Sequence, residues 1–342
     1  MNPFEYEPHE LEDSEFPSGA FGYEFEDLSA EAEDSFEFEE KTGGGLRRFF
    51  PPLVGDRSGF RELEIPYSTE EEVFPPDDRK PVRDTTQLPF RFICHLLVGL
   101  ASDDGKTLAT GQGTGTLIGN NWVLTAAHLL KFNLNGTMLK AKKVTVTPGK
   151  NTLPARRSQW TPFGSWGARS WQCHSSWNGS NAEYDLALVT LRADVGRKKF
   201  KSLGHQPLGF WGSPAYGGKT RLIAPDPNLL KDKLVNVGGY PSDKCGDQPL
   251  VGTCPSDKAV GTQYIAYDKI IDPMPAAEPK LFYHKADMRE GQSGSPLWRW
   301  EADTGNRFLV GINSGQDAGV RNFGVRITAD VLNQLKKWGW TV

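Results

Sequence analysis

One serine of this chain stands among residues that suit a nucleophile. Ser293 lies in the run Gly-Gln-Ser-Gly-Ser-Pro at positions 291–296, with glycines on both sides. Such glycines let the backbone turn sharply and bring its N–H groups up to a substrate carbonyl. Because the same short motif also occurs in surface turns, the chemistry has to be supported by residues elsewhere in the chain.

Two further residues are suited to activate that serine. A serine hydroxyl needs a base to take its proton and a third group to orient the base. His128 follows the run Leu-Thr-Ala-Ala and is the candidate base, while Asp185 heads the apolar run Leu-Ala-Leu-Val and is the candidate orienter. Each residue alone has an ordinary structural explanation. Their order and strand-like settings together predict a catalytic triad for acyl transfer, with the N–H groups of Gly291 and Ser293 as the oxyanion hole.

The elements that must position these residues are mostly short strands. The chain has 37 glycines and 24 prolines, and long helical periodicity is scarce. Alternation and turn signals predict strands at 88–100, 107–117, 122–124, 140–147, 185–191, 220–223, 234–239, 259–267, 280–284, 295–300, 308–313 and 322–327. One helix is predicted at 328–338, capped by Thr328 and stopped by Gly339. This pattern predicts an all-β fold of two packed antiparallel barrels with a C-terminal helix.

Charge is divided unevenly along the chain. The formal net charge is −4, but 15 of the 43 Asp and Glu residues fall within residues 1–40, which contain no Lys or Arg. The rest of the chain is basic, with 28 acids against 39 bases. Residues 1–45 alternate aromatic with acidic residues, which predicts a disordered acidic N-terminal extension, because like charges crowd and no core forms.

Several classes of function find no support in the composition. The basic residues are scattered without interleaved aromatics, so no nucleic-acid partner is predicted. Apolar runs are too short for a membrane span. Nothing points to a metal or an organic cofactor, since the four cysteines form no CxxC pair.

The cysteines and the N-terminus bear on the destination of the protein. Cys245 and Cys254 flank a short loop and are predicted to form a disulfide, which leaves Cys94 with Cys173 as the remaining pairing. Four buried thiols would fit the same count. No Sec-type signal peptide is visible, because the first basic residue is Lys41. Because an even cysteine count fits an oxidising destination, we predict a secreted or exported protein. The sequence does not specify the export route.

Several motifs together resemble one protease family. The motifs are the runs Gly-Thr-Leu-Ile-Gly at 115–119, Leu-Thr-Ala-Ala-His at 124–128 and Gly-Tyr-Pro-Ser-Asp-Lys at 239–244, and the serine motif at 291–296. In these motifs the chain resembles the glutamyl endopeptidases of staphylococcal and bacillus type, a branch of the chymotrypsin fold. The resemblance covers about Val73 to the C-terminus. It implies two packed, trypsin-like, six-stranded antiparallel β-barrels and a serine endopeptidase activity.

The resemblance also implies a domain division and a processing site. Residues 1–45 form the tail, 46–83 the linker or pro-segment with the start of the mature enzyme, and 84–342 the protease domain. Within that domain, barrel 1 covers about 84–200, barrel 2 about 201–327, and the helix 328–338. Because the family removes a propeptide, Val73 is the expected mature N-terminus, released by cleavage after Glu72.

The substrate pocket is assigned through the same resemblance. Asn313, Ser314 and Gly315 correspond to the edge strand that pairs with substrate, and the family usually has a histidine at the position of Asn313. Asp287 lies six residues before Ser293, where a trypsin-type pocket holds an acid that favours Lys or Arg. Because the glutamyl branch has the same acid without that preference, Asp287 is taken only as a candidate for substrate binding. His284 is a further candidate for substrate contact.

Three functional hypotheses follow. The first is an active serine endopeptidase made as a precursor, which hydrolyses protein or peptide substrates as a monomer and cuts after acidic residues. The second is a catalytically silent protease-fold binding protein, against which the intact His128, Asp185 and Ser293 argue. The third is a protease cargo whose acidic tail recruits a partner or an export machine.

Overall fold

Strands dominate the computed structural model, as predicted for an all-β chain. It describes residues 9–10, 53–56, 63–64, 73–154, 156–216, 219–225, 230, 232–246, 248–249, 261–271, 280–301, 303–317 and 320–341. Two rings of six antiparallel strands close on themselves in these residues, which confirms the two packed barrels.

The first barrel holds both candidate residues of the proton-transfer pair. Its strands are Ile93–Ser102, Thr107–Leu117, Trp122–Thr125, Thr137–Pro148, Trp166–Cys173 and Ala187–Leu191. Strand Trp166–Cys173 closes the ring by pairing with Ala187–Leu191 on one side and Thr137–Pro148 on the other. Alternate side chains such as Leu139 and Ala141, and after a register shift Val144 and Val146, are buried.

The second barrel carries the serine loop. Its strands are Leu234–Gly239, Tyr264–Ile271, Leu281–His284, Pro296–Glu301, Asn306–Asp317 and Arg321–Arg326. Strand Asn306–Asp317 closes this ring, because it pairs with both Pro296–Glu301 and Arg321–Arg326. Ser293 lies three residues before strand Pro296–Glu301 begins.

Short elements connect and edge the barrels. The remaining strands are His9–Glu10, Leu53–Asp56, Leu63–Glu64, Lys80–Pro81, Lys131–Leu134, Lys199–Phe200, Gln206–Pro207, Thr220–Leu222, Lys244–Cys245 and Gln248–Pro249. The 3-10 turns are Phe90–Phe92, Ala127–Leu129, Arg157–Gln159, Ala182–Tyr184, Val195–Arg197, Lys201–Leu203 and Pro214–Tyr216. Two of these turns, Ala127–Leu129 and Ala182–Tyr184, position the candidate base and its orienter.

Aromatic side chains pack where the barrels meet. The ring of Trp211 lies 6.2 Å from that of Phe92, which precedes the first barrel, and 6.2 Å from that of Trp298 in the second. Trp211 Nε1 donates to Thr116 Oγ1 at 2.8 Å, so its polar atom is paired although the side chain is fully buried. This packing fixes the two barrels against one another.

The C-terminal helix agrees closely with its prediction. It spans Ala329–Lys337, and the Thr328 hydroxyl caps it by accepting the N–H of Val331 at 3.2 Å. Gly339 has φ +91°, a left-handed conformation that ends the helix without a Cβ clash. Leu335 is buried on the inner face of the helix.

Some predicted boundaries differ from the structure. The first strand begins at Ile93, because a 3-10 turn at Phe90–Phe92 occupies part of the predicted run. The strand predicted at 259–267 is Tyr264–Ile271. Strand Trp166–Cys173 was not predicted, because its small and polar residues hide the alternation.

Cysteine pairing differs from one expectation. Cys94 and Cys173 are both buried thiols rather than a disulfide. The strands that carry them are not neighbours, since Thr137–Pro148 lies between them in the ring, and burial raises the pKa of the Cys94 thiol. Cys254 lies outside the described residues, so the bridge to Cys245 stays a prediction.

The predicted disorder of residues 1–45 falls outside the described residues, with one exception. His9–Glu10 forms a two-residue strand that pairs with Ser170 and Trp171 at the edge of the first barrel. In the part of the chain that the structure describes, no helix has the length and hydropathy of a membrane span.

Candidate active site

His128 is placed by the local backbone that follows strand Trp122–Thr125. The chain is extended at Ala126 and then enters the 3-10 turn Ala127–Leu129, which carries the imidazole to the end of the barrel. The side chain is 5% exposed. Its position is fixed by the backbone as well as the ring, because its N–H donates to Asp185 Oδ1 at 2.8 Å.

The ring of His128 makes a second contact with the same carboxylate. Nδ1 lies 2.6 Å from Asp185 Oδ2. Because an ionised carboxylate only accepts hydrogen bonds, the proton of the neutral ring is on Nδ1 and the lone pair is on Nε2. An imidazole held in this tautomer can accept a proton through Nε2, as a general base must.

Asp185 is held from both barrels. It follows the 3-10 turn Ala182–Tyr184 and is fully buried. The hydroxyl of Ser314, from strand Asn306–Asp317 of the second barrel, donates to Asp185 Oδ2 at 2.5 Å. The carboxylate therefore accepts three hydrogen bonds, which compensate for its burial and fix its orientation.

The loop of Ser293 packs tightly on the first barrel. The Ser293 carbonyl accepts the N–H of Thr114 at 2.9 Å, and the Gly291 carbonyl accepts Thr114 Oγ1 at 2.8 Å. A Cβ on Gly294 would lie 2.1 Å from the Thr114 carbonyl oxygen and 3.0 Å from the Ala126 nitrogen. The serine loop thus abuts the segment that leads into His128.

Both glycines beside the serine are required by geometry. Gly291 has φ +89° and Gly294 has φ +80°, which side chains rarely adopt. A Cβ on Gly291 would also lie 2.4 Å from the Tyr240 carbonyl oxygen. These contacts are the physical reason for the glycine-serine-glycine pattern seen in the sequence.

Asp287 is in contact with the N-terminal segment of the domain. Its carboxylate is buried, and both oxygens accept backbone N–H groups, from Phe74 at 2.7 Å and from Asp78 at 2.8 Å. Burial and the neighbouring carboxylate of Asp287 raise the pKa of Asp78. Asp287, predicted as a substrate-binding residue, therefore also binds the N-terminal segment of the domain.

The other predicted pocket residues, His284, Asn313, Ser314 and Gly315, are all buried. Asn313 and His284 are both completely buried. Burial lowers the pKa of His284 to about 4, against the opposing effect of the Asn313 side chain and the Ala286 backbone. His284 is therefore a neutral side chain beside Asn313. The strand register shifts between Asn313 and Gly315, which places Ser314 at an irregularity where its hydroxyl reaches Asp185.

Two features of the site were missed by sequence reasoning. The bond from Ser314 to Asp185 joins residues 129 positions apart, and the bonds from Phe74 and Asp78 to Asp287 span more than 200. The first has a sequence signal only in the serine that follows Asn313. The second uses backbone N–H groups, which leave no signal in residue types.

Two closed antiparallel barrels that meet at a His–Asp pair and a glycine-flanked serine are the architecture of chymotrypsin-type endopeptidases. The family model described as Trypsin matches residues 105–338. The chain belongs to the trypsin family, and the protein is a serine-type endopeptidase.

Two bacterial proteases and one solved structure are similar to this chain. The chain is 27% identical to a glutamyl endopeptidase of Bacillus licheniformis over 80% of this chain and 71% of that protein. It is 26% identical to an extracellular metalloprotease of Bacillus subtilis over 77% of this chain and 68% of that protein. A solved Glu endopeptidase in complex with MPD aligns with a TM-score of 0.56 and 20% identity, over 78% of this chain and 98% of that chain. This last match shows the fold.

Proposed function

We propose that the protein cleaves peptide bonds through an acyl-enzyme on Ser293. His128 Nε2 takes the proton of the Ser293 hydroxyl as its oxygen attacks the scissile carbonyl carbon. The imidazolium that forms is stabilised by Asp185 and returns the proton to the leaving amine. Water then attacks the acyl-enzyme with His128 again as base, which releases the acid product and restores the serine.

The double contact between His128 and Asp185 carries this proposal. One carboxylate binds both the backbone N–H and the ring Nδ1 of the histidine, at 2.8 and 2.6 Å. A histidine that served only as a core residue would not need its tautomer fixed by a buried carboxylate. The N–H groups of Gly291 and Ser293 are proposed to stabilise the oxyanion, since each such donor contributes about 2.7–4 kcal/mol in comparable sites.

We further propose cleavage after acidic residues. The relative named glutamyl endopeptidase supports this preference. The position of Asp287 supports it as well, because a carboxylate already accepting two N–H groups from Phe74 and Asp78 is poorly placed to bind a lysine or arginine. Asn313, Ser314 and Gly315 are proposed to line the substrate strand, with His284 supporting Asn313 from behind.

The same proposal includes maturation and export. Cleavage after Glu72 would leave Val73 as the new N-terminus, next to the segment that begins its contacts at Phe74. Secretion is supported by the relative that is named an extracellular protease. The partner of the acidic tail and a monomeric state stay predictions.

A digest of a diverse peptide mixture tests the function. Purified protein and its Ser293→Ala variant are incubated with the mixture, and the cut sites are identified by mass spectrometry. We expect cuts after Glu and Asp with the wild type and none with the variant. Equal cleavage by Ser293→Ala would contradict the nucleophile, and cuts confined to Lys and Arg would contradict the acidic preference.

A further inference from the structure

The segment 74–79 contacts the first residue of 287–290, the stretch that leads into the serine loop. Asp287 accepts the N–H groups of Phe74 and Asp78 on its two carboxylate oxygens, at 2.7 and 2.8 Å. The Asp287 side chain is buried. One end of 287–290 is therefore fixed to the N-terminal segment by two hydrogen bonds to a charged acceptor, the stronger class of hydrogen bond.

The other end of 287–290 is reached through an intermediate turn. The Glu290 carbonyl accepts the N–H of Ser242 at 2.8 Å. The carboxylate of the next residue, Asp243, accepts hydrogen bonds from both terminal nitrogens of Arg79, at 2.8 and 2.5 Å. This bidentate pair ties the N-terminal segment to the turn that holds Glu290.

Arg79 lies at the centre of a charge network. Its side chain is 1% exposed, and it also contacts Asp77, with Nη2 2.8 Å from Oδ2. Lys244 Nζ lies 2.7 Å from the same Asp77 oxygen. Burial opposes ionisation of Asp77, but hydrogen bonds from Arg79 and Lys244 hold the pKa of that carboxyl well below its ordinary value. Two acids and two bases thus balance. Removing Arg79 would leave Asp77 with Lys244 alone and would take the bidentate partner from Asp243.

The turn that Arg79 holds is in contact with the serine loop itself. Gly291 packs so closely on Tyr240 that a Cβ would lie 2.4 Å from its carbonyl oxygen. Thr114 Oγ1 accepts the Tyr240 N–H at 3.1 Å and donates to the Gly291 carbonyl at 2.8 Å. A shift of the turn would therefore move Gly291, which is one of the proposed oxyanion donors.

We propose that Arg79 and Asp287 are positioning residues. They anchor the N-terminal segment 74–79 to both ends of residues 287–290 and thereby fix the oxyanion side of the serine loop. Asp287 acts on the segment rather than on the substrate. The inference rests on the proposed role of Ser293. It also gives the N-terminal segment a part in catalysis that requires no contact between that segment and the substrate.

Positioning and simple stabilisation make different kinetic predictions. A displaced oxyanion donor weakens binding of the transition state more than binding of the substrate, so kcat falls while KM changes little. Misplacement by about 1 Å is able to cost on the order of 100-fold in rate. A purely structural arginine would lower the thermal stability and leave the kcat of the folded protein intact.

The experiment compares variants of two buried arginines. Arg79→Met, Arg79→Lys and Arg91→Met are made in the full chain, and Arg91 is the matched control because its guanidinium packs on the ring of Tyr216, 4.2 Å from the centroid. We measure kcat and KM on a fluorogenic peptide built on the best-cleaved bond of the mixture. Affinity for a peptidyl boronic acid, whose tetrahedral adduct mimics the transition state, is measured alongside the melting temperature.

We expect Arg79→Met to lower both kcat and boronic-acid affinity by about 30- to 100-fold, with KM within about 3-fold of wild type. Arg79→Lys keeps the charge without the bidentate fork, so its kcat and boronic-acid affinity should lie between those of the wild type and of Arg79→Met. Arg91→Met should keep kcat within about 2-fold. If Arg79→Met does not fold, Asp243→Asn, which keeps the shape of the partner, takes its place with the same expectation.

Two results would overturn the inference. One is a folded Arg79→Met or Asp243→Asn protein with wild-type kcat and boronic-acid affinity. The other is an equal loss of kcat in Arg79→Met and Arg91→Met. Failure of the proposed function looks different, because the wild type and Ser293→Ala would then bind the boronic acid equally.

Discussion

The His128–Asp185 pair and the Ser293 loop are built in contrasting ways. The pair depends on two short turns and one carboxylate, which takes both the backbone and the ring of the histidine. The serine loop depends on contacts from distant parts of the chain: Thr114, the turn at 240–242 and the strand of Asn313. A single substitution should therefore disable the pair, whereas the loop should lose function in steps.

The largest expected effect falls on the pair. Asp185→Asn keeps the size of the side chain but no longer favours the tautomer with the proton on Nδ1. We expect kcat/KM to fall by about 10⁴-fold, as for the corresponding change in serine proteases generally. Peptide hydrolysis measures the loss. Asp194→Asn, at an exposed acid 3.8 Å from Arg197, should leave the rate unchanged, and an equal loss there would mean that charge rather than position matters.

A glycine substitution tests how tightly the serine loop is packed. Gly294→Ala would place a Cβ 2.1 Å from the Thr114 carbonyl oxygen at φ +80°. We expect a loss of more than about 3 kcal/mol in the free energy of unfolding, because backbone rather than a flexible side chain blocks the new atom.

Gly105→Ala is the matched control for that change. Gly105 also has a positive φ, +67°, but nothing lies within 4 Å of its added Cβ. Only backbone strain of about 1–2 kcal/mol should appear. Denaturant unfolding measures both variants. Equal losses would show that the loop is held by backbone conformation alone and does not pack closely on the first barrel.

The stability of the protein in acid should depend on the buried His284 of the second barrel and not on the exposed His205. The pKa of His284 is about 4 against an ordinary 6.5. The neutral ring thus stabilises the folded state fully above pH 6.5, and this contribution is lost as the pH falls towards 4. The loss amounts to about 3 kcal/mol.

His284→Gln removes the titration and should flatten the fall in unfolding free energy between pH 6.5 and 4. Denaturant melts across this range measure the slope. His205→Asn is the control, because His205 has φ +63° and asparagine tolerates that conformation. A His284→Gln protein that is as acid-sensitive as the wild type would place the sensitivity elsewhere.

The smallest predicted loss of activity comes from removing the hydrogen bond between Ser314 and Asp185, which joins the second barrel to the His128–Asp185 pair. Ser314→Ala removes the hydroxyl that donates to Asp185 Oδ2, while the two bonds from His128 remain. A hydrogen bond to a charged group contributes about 1.5–3 kcal/mol. We expect kcat to fall by about tenfold with KM almost unchanged. Steady-state kinetics give both values, and a loss as large as that of Asp185→Asn would mean that the second barrel, not the first, fixes the orienter.

Local patterns predicted the fold class and the class of enzyme. The glycines around Ser293, the strand before His128 and the Thr328 cap each act within a few residues, so the sequence displays them directly. The barrels follow from alternation, which needs only the neighbouring residues of one strand. Strand Trp166–Cys173 was not predicted, because it forms through pairing with its two neighbouring strands and its own residues show no clear alternation.

Contacts across long separations could not be predicted. Arg79 and Asp243 are 164 residues apart, and nothing in either position singles out the other. The two bonds that Asp287 accepts had no signal either, because their donors are backbone N–H groups, which every residue except proline possesses. The even number of cysteines suggested a pairing of Cys94 with Cys173, but the strands that carry them are not adjacent.

Covalent labelling with a fluorophosphonate, followed by peptide mass spectrometry, tests the triad most directly. The reagent phosphonylates a serine hydroxyl that a neighbouring base has activated: the serine oxygen bonds to phosphorus, fluoride leaves, and the base takes the proton. A functional triad predicts one adduct, on Ser293, that disappears in His128→Ala and after heat denaturation. A protein that hydrolyses peptides but carries no adduct on Ser293, or a His128→Ala variant that is labelled at the wild-type rate, would contradict it.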